Sequence, residues 1–252
     1  MRFFAFLESV MNPDDHNSLI INLEGIFFKY PGTSENVIDN LDLEFYRGDR
    51  IGLMAPNGSG KTSLFHIIMG LLKPDAGNIK IFGKPVSTEK DFEKVRLRIG
   101  LLFQDADDQL FSPTVLEDVA FGPLNMGKTP DQAKKIAIDT LYELGLDGFE
   151  HRITYKLSGG EKRLVSLATV LAMKPEVLLL DEPSNGLDEK TKARLIDVLA
   201  NLDLSYILIS HESDFLYELT DSIYTMENGK IFPGEKKHRH LHTHTHITHG
   251  PK

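Results

Sequence analysis

Residues 51–63 read Ile-Gly-Leu-Met-Ala-Pro-Asn-Gly-Ser-Gly-Lys-Thr-Ser. A short apolar run stops at Pro56, two glycines follow, and Leu64, Phe65, Ile67 and Ile68 then recur at helical spacing. This is a strand, a glycine-rich turn and a helix. Gly58 and Gly60 let the backbone curl so that successive N–H groups point into one concavity, which suits an anion. The helix N-terminus adds partial positive charge at the same place. Ala55, Pro56, Asn57, Gly58, Ser59, Gly60, Lys61, Thr62 and Ser63 therefore form a candidate phosphate cradle. In it Lys61 reaches phosphate oxygens and the Thr62 hydroxyl suits Mg²⁺. The pattern usually opens with Gly, and Ala55 stands there; its methyl group is tolerable if its φ is negative.

The bulk numbers narrow what surrounds this turn. A chain of 252 residues can bury a substantial core. Its net charge of −9 argues against nucleic acid as the main partner, since phosphate backbones need a basic surface. The absence of cysteine excludes disulfides and thiolate metal sites. No apolar run approaches the ~20 residues that span a bilayer. The expectation is a soluble protein, or one held at a membrane only through a partner.

Residues 1–18 read as an N-terminal extension. From Leu19 the texture is β-like, with Leu19, Ile21 and Leu23 alternating, then Ile26–Tyr30 meeting Pro31-Gly32. Leu41, Leu43 and Phe45 share one face of the next run. Strands are expected over 79–82, 99–103, 177–180 and 206–209, and helices over 88–97, after Gly160 and over about 189–201. Alternation of this kind implies a mainly parallel sheet. Residues from about 105 to 165 are richer in helical periodicity and read as an inserted α-helical subdomain. Asn228-Gly229 marks a closing hairpin. A body spanning residues 19–234 would then precede a tail, 235–252, of low apolar content that should be disordered. His238, His240, His242, His244, His246 and His249 lie in it. Neutral imidazoles suit Ni, Co, Cu and Zn, so the tail is a candidate metal chelator; a solvated tail or an engineered tag are the plainer readings.

Further motifs carry chemistry. Leu157-Ser158-Gly159-Gly160-Glu161 opens a helix, where the Ser158 hydroxyl and the glycine amides again suit an anion. Val177-Leu178-Leu179-Leu180 delivers Asp181 and Glu182 to a strand's C-terminal edge, where ligands sit in open α/β sheets. Asp181 suits Mg²⁺, and Glu182 suits polarising an attacking water. His211 ends a second apolar strand at the same edge.

In this order the motifs resemble the ATP-binding cassette (ABC) family over roughly residues 19–233. The resemblance implies a P-loop NTPase (RecA-like) α/β core with an N-terminal antiparallel β subdomain. It implies ATP and Mg²⁺ as cofactors and a head-to-tail dimer, in which Ser158–Gly160 of one copy caps phosphates held by Gly58–Thr62 of the other; complete motifs at both ends favour a homodimer over a heterodimer. It further implies Tyr30 stacking on adenine, Gln104 touching Mg²⁺ or the lytic water, Glu182 as base and His211 as γ-phosphate switch. Tyr30 as a strand-end core aromatic is an equal alternative. Residues 103–125 (Phe-Gln-Asp-Ala-Asp-Asp-Gln-Leu-Phe-Ser-Pro-Thr-Val-Leu-Glu-Asp-Val-Ala-Phe-Gly-Pro-Leu-Asn) resemble the ATPases of energy-coupling-factor (ECF) importers, especially cobalt and nickel members. This implies a peripheral protein on the cytoplasmic face of a prokaryotic cell membrane, energising T-type and substrate-binding membrane subunits, with Ni²⁺ or Co²⁺ as cargo. Leu110, Phe111 and Val115 are then candidate contacts for a membrane partner, the alternative being packing inside the helical lobe. Rival readings are an ECF ATPase for a vitamin, a non-transport cassette protein and a metal-storage protein.

Overall fold

The computed structural model describes residues 18–236. Two sheets organise the chain. Strands β1 (Leu19–Phe28), β2 (Ile38–Tyr46), β4 (Ala76–Ile81) and β5 (Lys84–Pro85) form an antiparallel sheet in the order β2-β1-β4-β5. The second sheet comprises β3 (Arg50–Met54), β6 (Ile99–Leu102), β7 (Val177–Asp181), β8 (Ser205–Ile209), β9 (Ser222–Glu227) and β10 (Lys230–Lys236). Its order is β10-β9-β3-β8-β7-β6, parallel throughout except for the β9–β10 hairpin. The helices are α1 (Lys61–Ile68), α2 (Glu89–Arg96), α3 (Val115–Asn125), α4 (Pro130–Glu143), α5 (Gly159–Leu171), α6 (Glu189–Asn201) and α7 (Ser213–Leu219).

The parallel sheet is covered on both faces, which is why β7 and β8 read as continuous apolar runs. Val177 and Leu179 of β7 join Ile207 and Ile209 of β8 in a core shared with α1 and the antiparallel sheet. Leu178, Leu180, Tyr206 and Leu208 point the other way, into a core shared with α3–α7. Each such side chain contributes ~1.5–3 kcal/mol by leaving water.

Helix starts follow local chemistry. Thr114 with Glu117, Thr129 with Gln132 and Ser158 with Glu161 form reciprocal capping boxes at α3, α4 and α5, and Asp188 caps α6. Pro130 occupies the first turn of α4, where its missing N–H costs nothing.

Two expectations change. The alternation Leu19, Ile21, Leu23 implies one buried face, but Ile20 and Asn22 are buried as well as Ile21 and Leu23. The pairing of β1 with β2 and β4 carries register shifts, and Ile20 joins Ile21 and Leu23 in one core cluster with residues of α1 and β3. Val115 is fully buried at the start of α3 among residues of α4 and α5, so it is no partner contact. Leu110 packs partly against the same core, whereas Phe111 is 67% exposed, edge-on to Phe121 at 4.8 Å. Helix α5 runs unbroken across residue 165. No helix among the described residues is long and apolar enough to cross a membrane. The extension 1–17 and the histidines of the tail lie outside the described residues.

Candidate functional site

The sheet order brings the motifs together. In the register, Leu53 of β3 lies beside Ile209 of β8, and Ile209 beside Asp181 of β7. Three strands therefore end level, and the loops leaving them converge.

The first loop is the glycine-rich turn. Gly58 and Gly60 have φ of 80° and 98°. A side chain at Gly60 would meet the Val37 carbonyl oxygen at 2.7 Å, so that position admits only glycine. Gly58 has no neighbour where a Cβ would stand and leaves the concavity open. Ala55 is buried and is not among the residues with positive φ, so its methyl group is accommodated without strain.

Lys61 begins α1 with its ammonium buried. Nζ donates to the Ala55 carbonyl oxygen at 3.2 Å and to Glu182 Oε1 at 2.9 Å. It also lies 2.5 Å from His211 Nε2, with Asn57 Oδ1 at 3.5 Å. His211 Nε2 lies 3.1 Å from Asn57 Oδ1 and 3.0 Å from Glu182 Oε1. Glu182 has φ of 47°, a left-handed conformation costing a non-glycine residue ~1–2 kcal/mol. It is held there by its own N–H on the Ile209 carbonyl and by the His211 N–H on its Oε2.

Beside this cluster the Thr62 hydroxyl donates to Asp181 Oδ2 at 2.7 Å. Asp181 Oδ1 is buried and has no partner. Burial raises the Asp181 pKa above its ordinary value, and neighbouring Glu182 pushes the same way, while the Thr62 hydrogen bond opposes it. A hydroxyl and a buried carboxylate with a spare oxygen, beside a phosphate cradle, are a fitting oxygen donor set for Mg²⁺.

A cavity of about 650 Å³ opens from Thr62 and Asp181 past Gln104 to Gly159, Lys162 and Arg163. Gln104 is exposed, with its carbonyl accepting from Arg163. His66 lines the same cavity one turn beyond Thr62, its pKa lowered by burial. The Ser158 hydroxyl accepts from the Glu161 N–H at 3.3 Å, and Ser158 and Gly159 are exposed. Ser158–Gly160 make no hydrogen bond to the Asn57–Thr62 loop. Tyr30 is 41% exposed, so it is not a core aromatic; its hydroxyl pairs with buried Ser63 Oγ at 2.9 Å. The ring is edge-on to Phe28 at 5.0 Å.

The motifs also left out residues that shape the site. Arg163 is buried in α5 and holds the Gln104 segment. Gln109 bridges the Phe103 N–H to the Ser166 carbonyl. Glu212, next to His211, accepts from Ser184 Oγ at 2.7 Å and from Lys192. Only the placement of Arg163 just after Ser158–Gly160 marked it in advance.

The family described as ABC transporter matches residues 38–185. The chain is 50% identical over 218 residues to a candidate ABC transporter ATP-binding protein of Nitratidesulfovibrio vulgaris, covering 86% of this chain and 80% of that protein. It is 39% identical over 217 residues to the energy-coupling factor transporter ATP-binding protein EcfA of Methanocaldococcus jannaschii, covering 84% and 77%. Among solved structures it superposes on cbiO1 of Clostridium perfringens, part of the ABC transporter complex cbiONQ. That match has a TM-score of 0.76 and 32% identity, covering 85% of this chain and 87% of that one. A dimeric bacterial ABC transporter cassette matches with a TM-score of 0.77 and 26% identity, covering 86% and 98%. With the glycine cradle, the paired carboxylates and the histidine at one sheet edge, these likenesses place the chain in the ABC transporter family as an ATP-binding cassette, an ATPase that uses ATP with Mg²⁺ and is similar to the energy-coupling factor members.

Proposed function

We propose that this chain is the ATP-hydrolysing subunit of an ECF-type importer, working at the cytoplasmic face of the cell membrane as one of a pair of cassettes. The observation that carries the residue assignments is the convergence of Lys61, Glu182, His211 and Asn57 within hydrogen-bonding reach of one another. Asn57–Ser63 bind the phosphates through backbone N–H groups and the Lys61 ammonium. Thr62 and Asp181 would hold Mg²⁺, which supplies charge neutralisation on the phosphates when bound. Glu182 polarises the attacking water, and His211 senses the terminal phosphate. Tyr30, exposed above Ser63, offers its ring to the base. Ser158–Gly160, free of the cradle within one chain, cap the nucleotide held by a second copy; the dimeric cassette supports this arrangement.

The cargo is Ni²⁺ or Co²⁺. The histidine tail and the texture of residues 103–125 support this. The membrane subunits would meet the exposed face near Phe111. The assignment is tested with Glu182→Gln, which should bind ATP and nearly abolish turnover. Normal single-turnover hydrolysis by that variant would remove Glu182 from the base role.

A further inference from the structure

Two side chains of α5, with one from the segment itself, hold the stretch that carries Gln104. Arg163 Nη1 donates to the Phe103 carbonyl at 2.6 Å and Nη2 to the Gln104 carbonyl. Lys162 Nζ reaches Asp107 Oδ1 at 2.5 Å. Gln109, at the segment's far end, accepts from the Phe103 N–H at 3.2 Å and donates to the Ser166 carbonyl of α5 at 2.8 Å. The Arg163 link is the costly one. Its side chain is 5% exposed, and no carboxylate pairs with it among the described residues; Asp105 and Asp181 act only at longer range. Burial lowers its pKa for that reason. A buried guanidinium held by two backbone carbonyls carries a desolvation cost that an apolar side chain of similar volume would avoid. In return its planar fork fixes the distance and angle between two backbone segments, which a packing residue does not do.

We infer that Arg163 is a positioning residue that locks Gln104 to the helix whose first turn is Ser158–Gly160. One rigid unit then presents Gln104 to this chain's own nucleotide and the serine–glycine motif to the partner copy's nucleotide. Displacing either end displaces the other, so occupancy of one site is felt by the other through this unit. This rests on the role that the family resemblance implies for Gln104, contact with Mg²⁺ or the lytic water at the proposed ATPase site, and goes beyond it.

The test uses the full-length chain carrying Arg163→Met, Arg163→Lys, Gln104→Ala and the Arg163→Met/Gln104→Ala double substitution. Amide hydrogen exchange is measured without nucleotide, and kcat and KM for ATP separately. In Arg163→Met, exchange over residues 103–109 should rise by about tenfold or more, the loss of one charge-assisted link. Exchange in β6 and α4 should not change. Its kcat should fall about tenfold with KM within about twofold, because geometry and not binding is lost. Arg163→Lys, with a single donor head, should lie between. The double variant should be no slower than Gln104→Ala alone. Unchanged exchange over 103–109, or additive losses in the double variant, would overturn the proposal. A fall confined to Arg163→Met, with Gln104→Ala at full activity, would do the same and would reject the Gln104 role independently. Should Arg163→Met fail to fold, wild-type exchange and kcat in Arg163→Lys would overturn it.

Discussion

Lys61 Nζ and Glu182 Oε1 lie 2.9 Å apart, both buried, although 121 residues separate them in the chain. The same ammonium is the phosphate ligand and the same carboxylate the base in the proposed reaction. Without nucleotide each therefore occupies the other. Lys61→Ala removes the phosphate contact and leaves the buried Glu182 carboxylate with only the His211 ring and N–H beside it. Calorimetry should show ATP binding lost or weakened beyond ~100-fold, and without nucleotide the variant should melt below wild type, because the buried carboxylate has lost its ammonium partner. Full affinity in that variant would contradict the cradle assignment.

Glu182→Gln keeps the shape and an oxygen acceptor for Lys61. Its ATP affinity should stay within about threefold of wild type while single-turnover hydrolysis drops by ~10²–10⁴, the range for losing a general base. Rapid-quench measurement of one turnover decides this.

Asp181 carries a pH signature. Its folded pKa is raised by burial, so its support for folding is fully present below the ordinary value of 3.8 and is lost as pH rises through the folded value. Asp181→Asn abolishes the titration. Without nucleotide it should melt higher than wild type at neutral pH, by ~2–4 °C for each kcal/mol relieved, and converge with it near pH 3.8. It should also lose the extra stabilisation that Mg²⁺ adds to ATP. A lower melting temperature for the variant at pH 8 would contradict the burial argument.

Glu176 behaves in the opposite sense. Arg98 and Arg47 converge on its carboxylate, hold its pKa below the ordinary 4.5 and tie the start of β7 to β6 and to the turn before β3. Stability from this cluster is present above pH 4.5 and is lost as pH falls through the lowered value. Glu176→Gln should cost ~1 kcal/mol at pH 7, a figure discounted for its partial exposure, and the gap to wild type should close in acid. Equal melting curves at pH 7 would show the cluster to be energetically idle.

The cargo is tested by uptake. Cells expressing the chain with its membrane partners should accumulate ⁶³Ni or ⁵⁷Co in an ATP-dependent way. Deleting residues 237–252 should reduce uptake most at limiting metal. Identical uptake with and without the tail would leave its histidines no part in transport.

Much of this was legible in the residues. The cradle, the paired carboxylates and His211 follow from motifs whose spacing expresses local rules, and α6 (Glu189–Asn201) follows from its Asp188 cap. Val115 misled because a β-branched residue beside Phe111 looks alike whether it faces a partner or the core; α4 decides, and α4 lies later in the chain. The double burial of β1 was hidden for a similar reason, since the core it joins includes α1 and β3, which lie later in the chain. Arg163 reads as an ordinary surface cation until the fold lays the Phe103–Gln104 backbone across it.

The level ends of β3, β8 and β7 work as a gauge. A strand advances ~3.3 Å per residue, and successive residues face opposite sides. Inserting or deleting one residue in β8 would slide His211 by a full hydrogen-bond length relative to Lys61 and Glu182, and would turn its neighbours to the wrong face. The strands beneath this edge cannot change in number of residues without taking the site apart.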